Sequence, residues 1–278
     1  MEHHHHHGEA DSTAMIELLD LDAEVLHSYL LDVTTWVGQL ATDAPTRVLD
    51  LGAGTGTGTL ALARQFGGAD VIAVDQSAEM LARVRARAED GGLADRVRTV
   101  HADLDVAWPA VGLVDLVWAA SALHELTDPV RVFKDVFAAV HPGGLVAVVE
   151  MGAPPRFLPD DIGLGRPGLE ARCHDAVARA QADWEPHPDW GLRLEQAGFT
   201  MIAGQTFTID LTPPHPISTG RYARAYLRRI RPVLEGRLAV EDLSTLDTLL
   251  TGDGPDSLLH RDDLVVRGTR TAWAARRP

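Results

Sequence analysis

The apolar positions along the chain change period twice. From Met15 to Leu40, residues Ile16, Leu19, Ala23, Leu26, Leu30, Val33 and Val37 recur every three or four positions, which predicts amphipathic helix in one or two pieces. Short continuous apolar runs then take over: Arg47–Leu51, Val71–Asp75, Val97–Val100, Leu113–Trp118 and Leu145–Val149. Runs of this length are the mark of strands buried on both faces. Helical stretches separate them. Leu60–Phe66 is closed by Gly67-Gly68, and Ser77 can cap a helix that ends at Gly91-Gly92. Asp128 as N-cap with Pro129 behind it starts a helix to Val140, ended by His141-Pro142-Gly143-Gly144. Strands about 25 residues apart, alternating with helices, predict a parallel sheet covered on both faces.

Past Glu150 the rhythm is lost. Residues 153–190 are Pro-rich around one helical stretch, Leu169–Asp183. Trp190–Ala197 reads as a helix, Phe207–Leu211 as a strand, Tyr222–Leu250 as two helices and Leu264–Ala274 as a final strand. His3 to His7 are an expression tag or a native His-rich tail, so residues 1–14 stay outside the fold reasoning. Residues 15–278 are expected to form one domain: a helical head (15–44), a core (45–150), and cap inserts with the last strands (151–278).

Composition narrows the class. With 45% hydrophobic residues the 278-residue chain can bury a sizeable core. The net charge of −15 argues against a general nucleic-acid binder, which needs clustered positive charge. The charge is uneven: residues 1–46 hold nine acids and no Lys or Arg, whereas residues 212–278 hold eleven arginines against eight acids. No apolar run reaches the roughly 18 residues of a membrane helix, and no signal peptide is visible, so a cytoplasmic protein is expected. Cys173 stands alone, excluding an internal disulfide and a Cys-built zinc site.

The turn Asp50-Leu51-Gly52-Ala53-Gly54-Thr55-Gly56 sits between a strand and a helix, where glycines let a ligand approach the backbone. The dinucleotide pattern G-x-G-x-x-G needs a third glycine where Thr57 stands. Asp50, two residues ahead of Gly52, would repel a pyrophosphate and attract a ligand ammonium. A nicotinamide oxidoreductase is disfavoured on both counts. Asp75 follows Gly56 by 19 residues, about where an acid accepts from ribose hydroxyls. Asp103 can accept from an exocyclic amine. Each of these aspartates taken alone reads as a helix cap or loop residue. Three acids at the carboxyl ends of three successive strands lie where open α/β sheets bind ligands.

Val48 to Gly56 resembles motif I of the class I S-adenosylmethionine (SAM)-dependent methyltransferases, of the small-molecule, type 11/12-like kind. Val71–Asp75, His101–Leu104, Val114–Val117 and Leu145–Glu150 resemble the motifs that follow it, in order. The resemblance covers residues 45–150 and, by topology, the last two strands. It implies a Rossmann-like, doubly wound, seven-stranded sheet, mostly parallel with an antiparallel last strand, plus N-terminal helices and helical cap inserts. It also implies SAM as cofactor and S-adenosylhomocysteine as product. Gly52, Ala53, Gly54 and Gly56 would face the methionine moiety, with Asp50 acting on its amino end through water. Asp75 would bind the ribose, Gln76 and Met80 would pack on adenine, Asp103 and Leu104 would hold the adenine edge, and the Ala119 backbone would meet the amino group.

Methyl transfer from a sulfonium is an in-line displacement, so alignment is the protein's main task, worth on the order of 7–11 kcal/mol. No metal is expected, and the paired acids of cation-dependent O-methyltransferases are missing at Trp118-Ala119-Ala120 and Glu150-Met151-Gly152. His124, after the fourth strand, is the candidate catalytic residue, read either as a general base or as a pocket wall. Glu150 reads more readily as a structural carboxylate than as a catalytic one, and His101 as packing or exposed. The acceptor pocket would draw on Tyr29, Trp36, His174, Trp184, His187, Trp190, Tyr222 and Tyr226. Arg221, Arg224, Arg228, Arg229 and Arg231 share one predicted helix; a solvated face is the default, and an anion site for a carboxylated or phosphorylated acceptor is the sharper reading. The expected function is methyl transfer to an O, N or C atom of a small-molecule acceptor, neither nucleic acid nor membrane. A non-catalytic SAM sensor or scaffold, or a protein methyltransferase, is the alternative.

Overall fold

The computed structural model describes residues 3–180, 188–252 and 254–278, with side chains from residue 12 onward. In chain order the elements are α1 (His3–Val25), α2 (His27–Leu40), β1 (Arg47–Leu51), α3 (Thr57–Gln65), β2 (Asp70–Asp75), α4 (Ala78–Asp90), β3 (Val97–His101) and β4 (Val114–Ala120). They continue with α5 (Pro129–Ala139), β5 (Val140–Arg156), α6 (Leu169–Ala180), α7 (Trp190–Gln196), β6 (Thr200–Leu211), α8 (Thr219–Ile230), α9 (Val240–Leu250) and β7 (Val266–Arg276). The seven strands form one sheet in the order β3-β2-β1-β4-β5-β7-β6. β1 runs parallel to β2 and β4, β2 to β3, and β4 to β5. β7 is antiparallel: Gly143 N–H donates to the Arg277 carbonyl and Arg277 N–H to the Gly144 carbonyl. This is the doubly wound, Rossmann-like order implied by the motifs.

The chain divides into two compact units. One comprises residues 27–152, 187–207 and 270–278 and contains the sheet's parallel core. Alternate strand residues serve opposite faces, as the two-residue period of a strand requires. Val48, Val71, Ala73, Leu116 and Trp118 pack under Leu60 and Leu62 of α3, Leu81 and Val84 of α4, and Val33 and Val37 of α2. Leu49, Leu51, Ile72, Val74, Val117 and Val148 pack against Val132, Phe133 and Val136 of α5 and Trp190 and Leu194 of α7. Both faces are therefore covered, which explains why these strands read as uninterrupted apolar runs.

The other unit comprises residues 1–26, 153–186 and 208–269. Here α8 lies along α1: Tyr222 donates to Asp22 at 2.5 Å, and Arg221 pairs with Glu17 at 3.0 Å. Phe157 meets the rings of Tyr222 and Tyr226 at 4.9 and 5.6 Å. The buried Glu170 carboxylate accepts the backbone N–H groups of Phe157 and Leu158 at 2.9 Å. The predicted head thus contributes α1 to one unit and α2 to the other.

Several boundaries differ from the sequence reading, among them the start of α1, at His3 and not at Met15. α5 stops at Ala139, and Val140 already pairs with Val114, so His141–Gly144 bulges within β5, before Leu145 pairs with Leu116, instead of forming a free turn. Its backbone is held by β7, a partner from far down the chain. β6 begins at Thr200 rather than Phe207, and it is an edge strand whose residues are mostly exposed or half-buried, so no apolar run announces it. The last three residues of the predicted Leu169–Asp183 helix lie outside the described residues. No helix among the described residues is long and apolar enough to cross a membrane.

Candidate active site

The glycine loop leaves β1 at Leu51 and is pinned at once. The N–H groups of Gly52 and Ala53 both reach the Val74 carbonyl at the end of β2, at 2.9 and 3.0 Å. Gly52 has φ +67, and a Cβ placed on it would stand 2.3 Å from the Ala122 Cβ. Gly56 (φ +84) caps α3 and lies against Val84, so it too has a structural reason to lack a side chain. Arg87, from α4, donates to the Thr55 carbonyl at 3.0 Å and to the hydroxyls of Thr55 and Thr57 at 3.2 Å. Thr57, where the dinucleotide pattern would have its third glycine, is thus an acceptor for an arginine. Sequence reasoning missed Arg87, because a helix arginine gives no local sign of reaching back 30 residues.

Asp75 at the end of β2 organises the next layer. Its Oδ2 accepts Gly54 N–H and its Oδ1 accepts Ser77 N–H, each at 2.8 Å. The side chain is only half-buried. A carboxylate offers about four lone-pair positions, so each oxygen keeps acceptor capacity for a pair of neighbouring hydroxyls. Gln76 is exposed and its carbonyl lies 2.8 Å from His101 Nε2; Met80 is half-buried at the start of α4. Asp103 is exposed, with Oδ1 accepting Asp105 N–H at 2.9 Å. Leu104 is buried, and its carbonyl accepts from the Arg131 guanidinium. Ala119 is buried near the end of β4.

Asp50 is placed differently from a direct ligand contact. It is 2% exposed, and Oδ2 accepts the Thr59 hydroxyl at 2.5 Å. Burial pushes its carboxyl up to about 7, the Thr59 hydrogen bond opposing this and the charge of Asp75 adding to it. It sits beneath the first turn of α3: a Cβ on Gly58 would stand 3.3 Å from Asp50 Oδ2 and 2.8 Å from Trp118 Nε1, a buried donor with no partner among the described residues.

After β4 the chain turns sharply at Ser121, whose φ is +52 and whose N–H donates to the Val149 carbonyl at 2.8 Å. The single 3-10 turn Leu123–Glu125 then presents His124. Its Nδ1 lies 2.9 Å from Glu150 Oε2, and its Nε2 lies 3.2 Å from Glu125 Oε1. Glu150 is buried at the end of the apolar part of β5, and its other oxygen accepts Leu123 N–H at 3.1 Å. The hydrogen bond to Glu150 raises the His124 pKa above its ordinary value, with burial opposing and the charges of both glutamates assisting. Glu150, read from sequence as structural, is therefore the partner of the candidate catalytic histidine. One cue lay in its position, an acid ending a wholly apolar strand next to a post-β4 histidine.

The predicted residues converge at one sheet edge. The loop of Gly52, Ala53, Gly54 and Gly56, together with Asp75, Ala119 and His124, lies at the carboxyl ends of the adjacent strands β1, β2 and β4. The acceptor candidates do not form one group. Tyr29 and Trp36 meet Phe207 edge-on at 5.8 and 6.0 Å, while Trp190 packs on Phe133. His174, Tyr222 and Tyr226 belong to the other unit; burial lowers the His174 pKa to about 4. Trp184 and His187 lie outside the described residues. Of the arginine cluster, Arg221 is held by Glu17, Arg228 by the Leu250 carbonyl and Arg231 by Asp247 and Glu235. That favours the solvated-face reading over an anion site. A cavity of about 300 Å³ opens at the amino edge of the sheet, between Pro45, Asp115, His141 and Arg276, away from this chemistry.

The donor set fits an adenosyl amino acid: half-exposed Asp75 has acceptor capacity for a diol, and the glycine loop keeps backbone free of Cβ atoms beside it. No cluster of His, Cys, Asp and Glu among the described residues could hold a metal ion. Residues 48–144 match a family described as a methyltransferase domain. Malonyl-[acyl-carrier protein] O-methyltransferase of Halorhodospira halophila is 34% identical over 176 residues, 62% of this chain and 55% of its own length. The tRNA 5-carboxymethoxyuridine methyltransferase of Escherichia coli is 34% identical over 104 residues, 37% of this chain and 39% of its own. The chain therefore spans about half or less of the length of these relatives. A SAM-dependent methyltransferase from Geobacter sulfurreducens, solved with S-adenosylhomocysteine, superposes with a TM-score of 0.50 at 18% identity, covering 93% of this chain and 98% of its own. Residues 48–144 thus match a methyltransferase domain, and the fold is shared with this SAM-dependent methyltransferase.

Proposed function

We propose that the protein is a SAM-dependent methyltransferase that modifies a small-molecule acceptor. The observation that carries this reading is Asp75, which ties Gly54 to Ser77 through its carboxylate and still faces outward beside the glycine loop. Gly52, Ala53, Gly54 and Gly56 would line the methionine portion, Asp75 the ribose, and Gln76, Met80, Asp103 and Leu104 the adenine. The Ala119 backbone would meet the amino group. Asp50, buried under α3, would act on that amino group through its field and through water rather than by touching it. When bound, SAM supplies a methyl carbon on a sulfonium, a good leaving group.

The chain's own part is to align and to exclude. The loop is locked on two sides, by Val74 and by Arg87, so its backbone amides are fixed before any ligand arrives. Ser121 turns the chain so that His124 borders the acceptor side of the site. The acid surplus supports a small acceptor over a nucleic acid.

Calorimetric titration with S-adenosylhomocysteine tests the reading. Binding in the micromolar range that Asp75→Ala weakens is the expected result. Wild-type affinity in that variant, or no binding at all, would sink the assignment.

A further inference from the structure

We propose that the acceptor presents a carboxylate to His124 Nε2 and leaves as a methyl ester. This rests on the methyltransferase reading above and narrows its acceptor. Both ring nitrogens of His124 lie within hydrogen-bond distance of carboxylate oxygens, Nδ1 at 2.9 Å from Glu150 and Nε2 at 3.2 Å from Glu125. An ionised carboxylate accepts and cannot donate. With both carboxylates ionised, both nitrogens carry hydrogen and His124 is an imidazolium. In that state it has no lone pair with which to take a proton from an alcohol, phenol or ammonium.

The two glutamates are unequal. Glu150 is 7% exposed at its side chain and also holds Leu123 N–H, so it is a fixed part of the floor. The Glu125 side chain is 69% exposed and sits on the same short turn as its partner. An ion pair this exposed is worth about 1 kcal/mol or less, so a ligand can displace it. Glu125 thus occupies the place that an acceptor would take, and it is itself a carboxylate. Replacing it with another carboxylate keeps the charge balance around the imidazolium. A phenol or alcohol would leave the cation with one counter-charge fewer, and an ammonium would be repelled.

The chemistry balances without a proton. One carboxylate oxygen of the acceptor accepts the Nε2 hydrogen and fixes the orientation. A lone pair on the other forms the new oxygen–carbon bond to the methyl group. The carbon–sulfur bond breaks with its electron pair remaining on sulfur, and the carboxylate's negative charge and the sulfonium's positive charge cancel. His124 orients the acceptor, and Glu150 positions His124.

The test uses the full chain labelled with nitrogen-15 in histidine, with His124 assigned by its loss in His124→Asn. With S-adenosylhomocysteine bound at pH 7, both His124 nitrogens should be protonated. Benzoate, phthalate and succinate should shift Nε2, whereas benzyl alcohol, phenol and benzylamine should not. Glu125→Gln should tighten carboxylate binding about threefold, and Glu150→Gln should weaken it and lower the His124 pKa. In turnover with tritium-methyl SAM, the product should release tritiated methanol in alkali. A neutral Nε2 at pH 7, a response to phenol or amine in place of carboxylates, or an alkali-stable product would overturn the proposal. The nuclear resonance result decides even if none of these acids is turned over. A chain that binds no S-adenosylhomocysteine overturns the methyltransferase reading itself. One that binds it while His124 ignores carboxylates overturns only the acceptor class.

Discussion

Gly52 and Ala122 approach so closely that a methyl group on Gly52 would stand 2.3 Å from the Ala122 Cβ. The first glycine of the loop is therefore required by the protein's own packing: it lets the end of β1 nest against the segment that leads from β4 to His124. Its φ of +67 adds a second reason, since side chains seldom adopt that conformation. The glycine loop and the turn that carries His124 are joined at this contact.

Gly52→Ala should destabilise the protein by about 2–4 kcal/mol, from a clash and a left-handed backbone together. Adding Ala122→Gly removes the clash and leaves the backbone strain. The double variant should then recover about half of the loss in urea unfolding. No recovery would mean that Ala122 is not what Gly52 avoids.

Asp75→Ala should weaken S-adenosylhomocysteine binding by at least about a hundredfold, since two hydrogen bonds to a charged acceptor are worth about 1.5–3 kcal/mol each. Asp75→Asn retains one acceptor oxygen and should fall between. Equal losses for the two variants in calorimetry would point to the Gly54 and Ser77 loop contacts, and not to a diol, as the role of Asp75.

Much of the core was legible because its signals are local. The apolar runs of β1, β2 and β4, the Ser77 and Asp128 caps, and the glycine turn each depend on a few neighbouring residues. Both caps accept where expected, from Met80 and Arg131. What escaped reading was held by distant partners: Arg87 reaching the loop, Glu150 under His124, and Gly143 and Gly144 drawn into the sheet by Arg277. Asp50 shows the limit from the other side. Its position before Gly52 suggested action on a ligand's amino end through water, and its burial under α3 follows from strand parity, which points it with Val48.

That buried Asp50 makes a prediction about pH. Its folded pKa of about 7 is above the ordinary carboxylate value, so the folded state holds its proton more tightly than the unfolded chain does. Stability therefore falls as pH rises from about 4 to about 7, and Asp50→Asn should remove that slope. The variant should gain on the order of 2–4 kcal/mol over wild type at pH 8, and little or nothing at pH 4. Thermal unfolding across this range checks it. A constant offset between the two proteins would show that Asp50 does not titrate there.

Asp242 in the other unit carries the opposite sign. Its side chain is 3% exposed and is gripped by Arg166 at 2.7 and 3.1 Å and by Arg172 at 2.8 Å through two nitrogens. The two guanidinium groups hold its carboxyl well below the usual range, with burial opposing. A depressed pKa gives stability that is present above the ordinary carboxylate value and is lost as pH falls through the folded value. Asp242→Asn should therefore lose most at pH 6 and above, by about 2–4 kcal/mol, because two arginines lose their counter-charge. The gap should narrow as pH falls below the ordinary carboxylate value, where the unfolded chain takes up a proton that folded Asp242 still refuses. Urea unfolding of both proteins between pH 2 and pH 7 would show it, and parallel curves would mean that the pair of arginines draws its stabilisation from packing and not from the charge on Asp242.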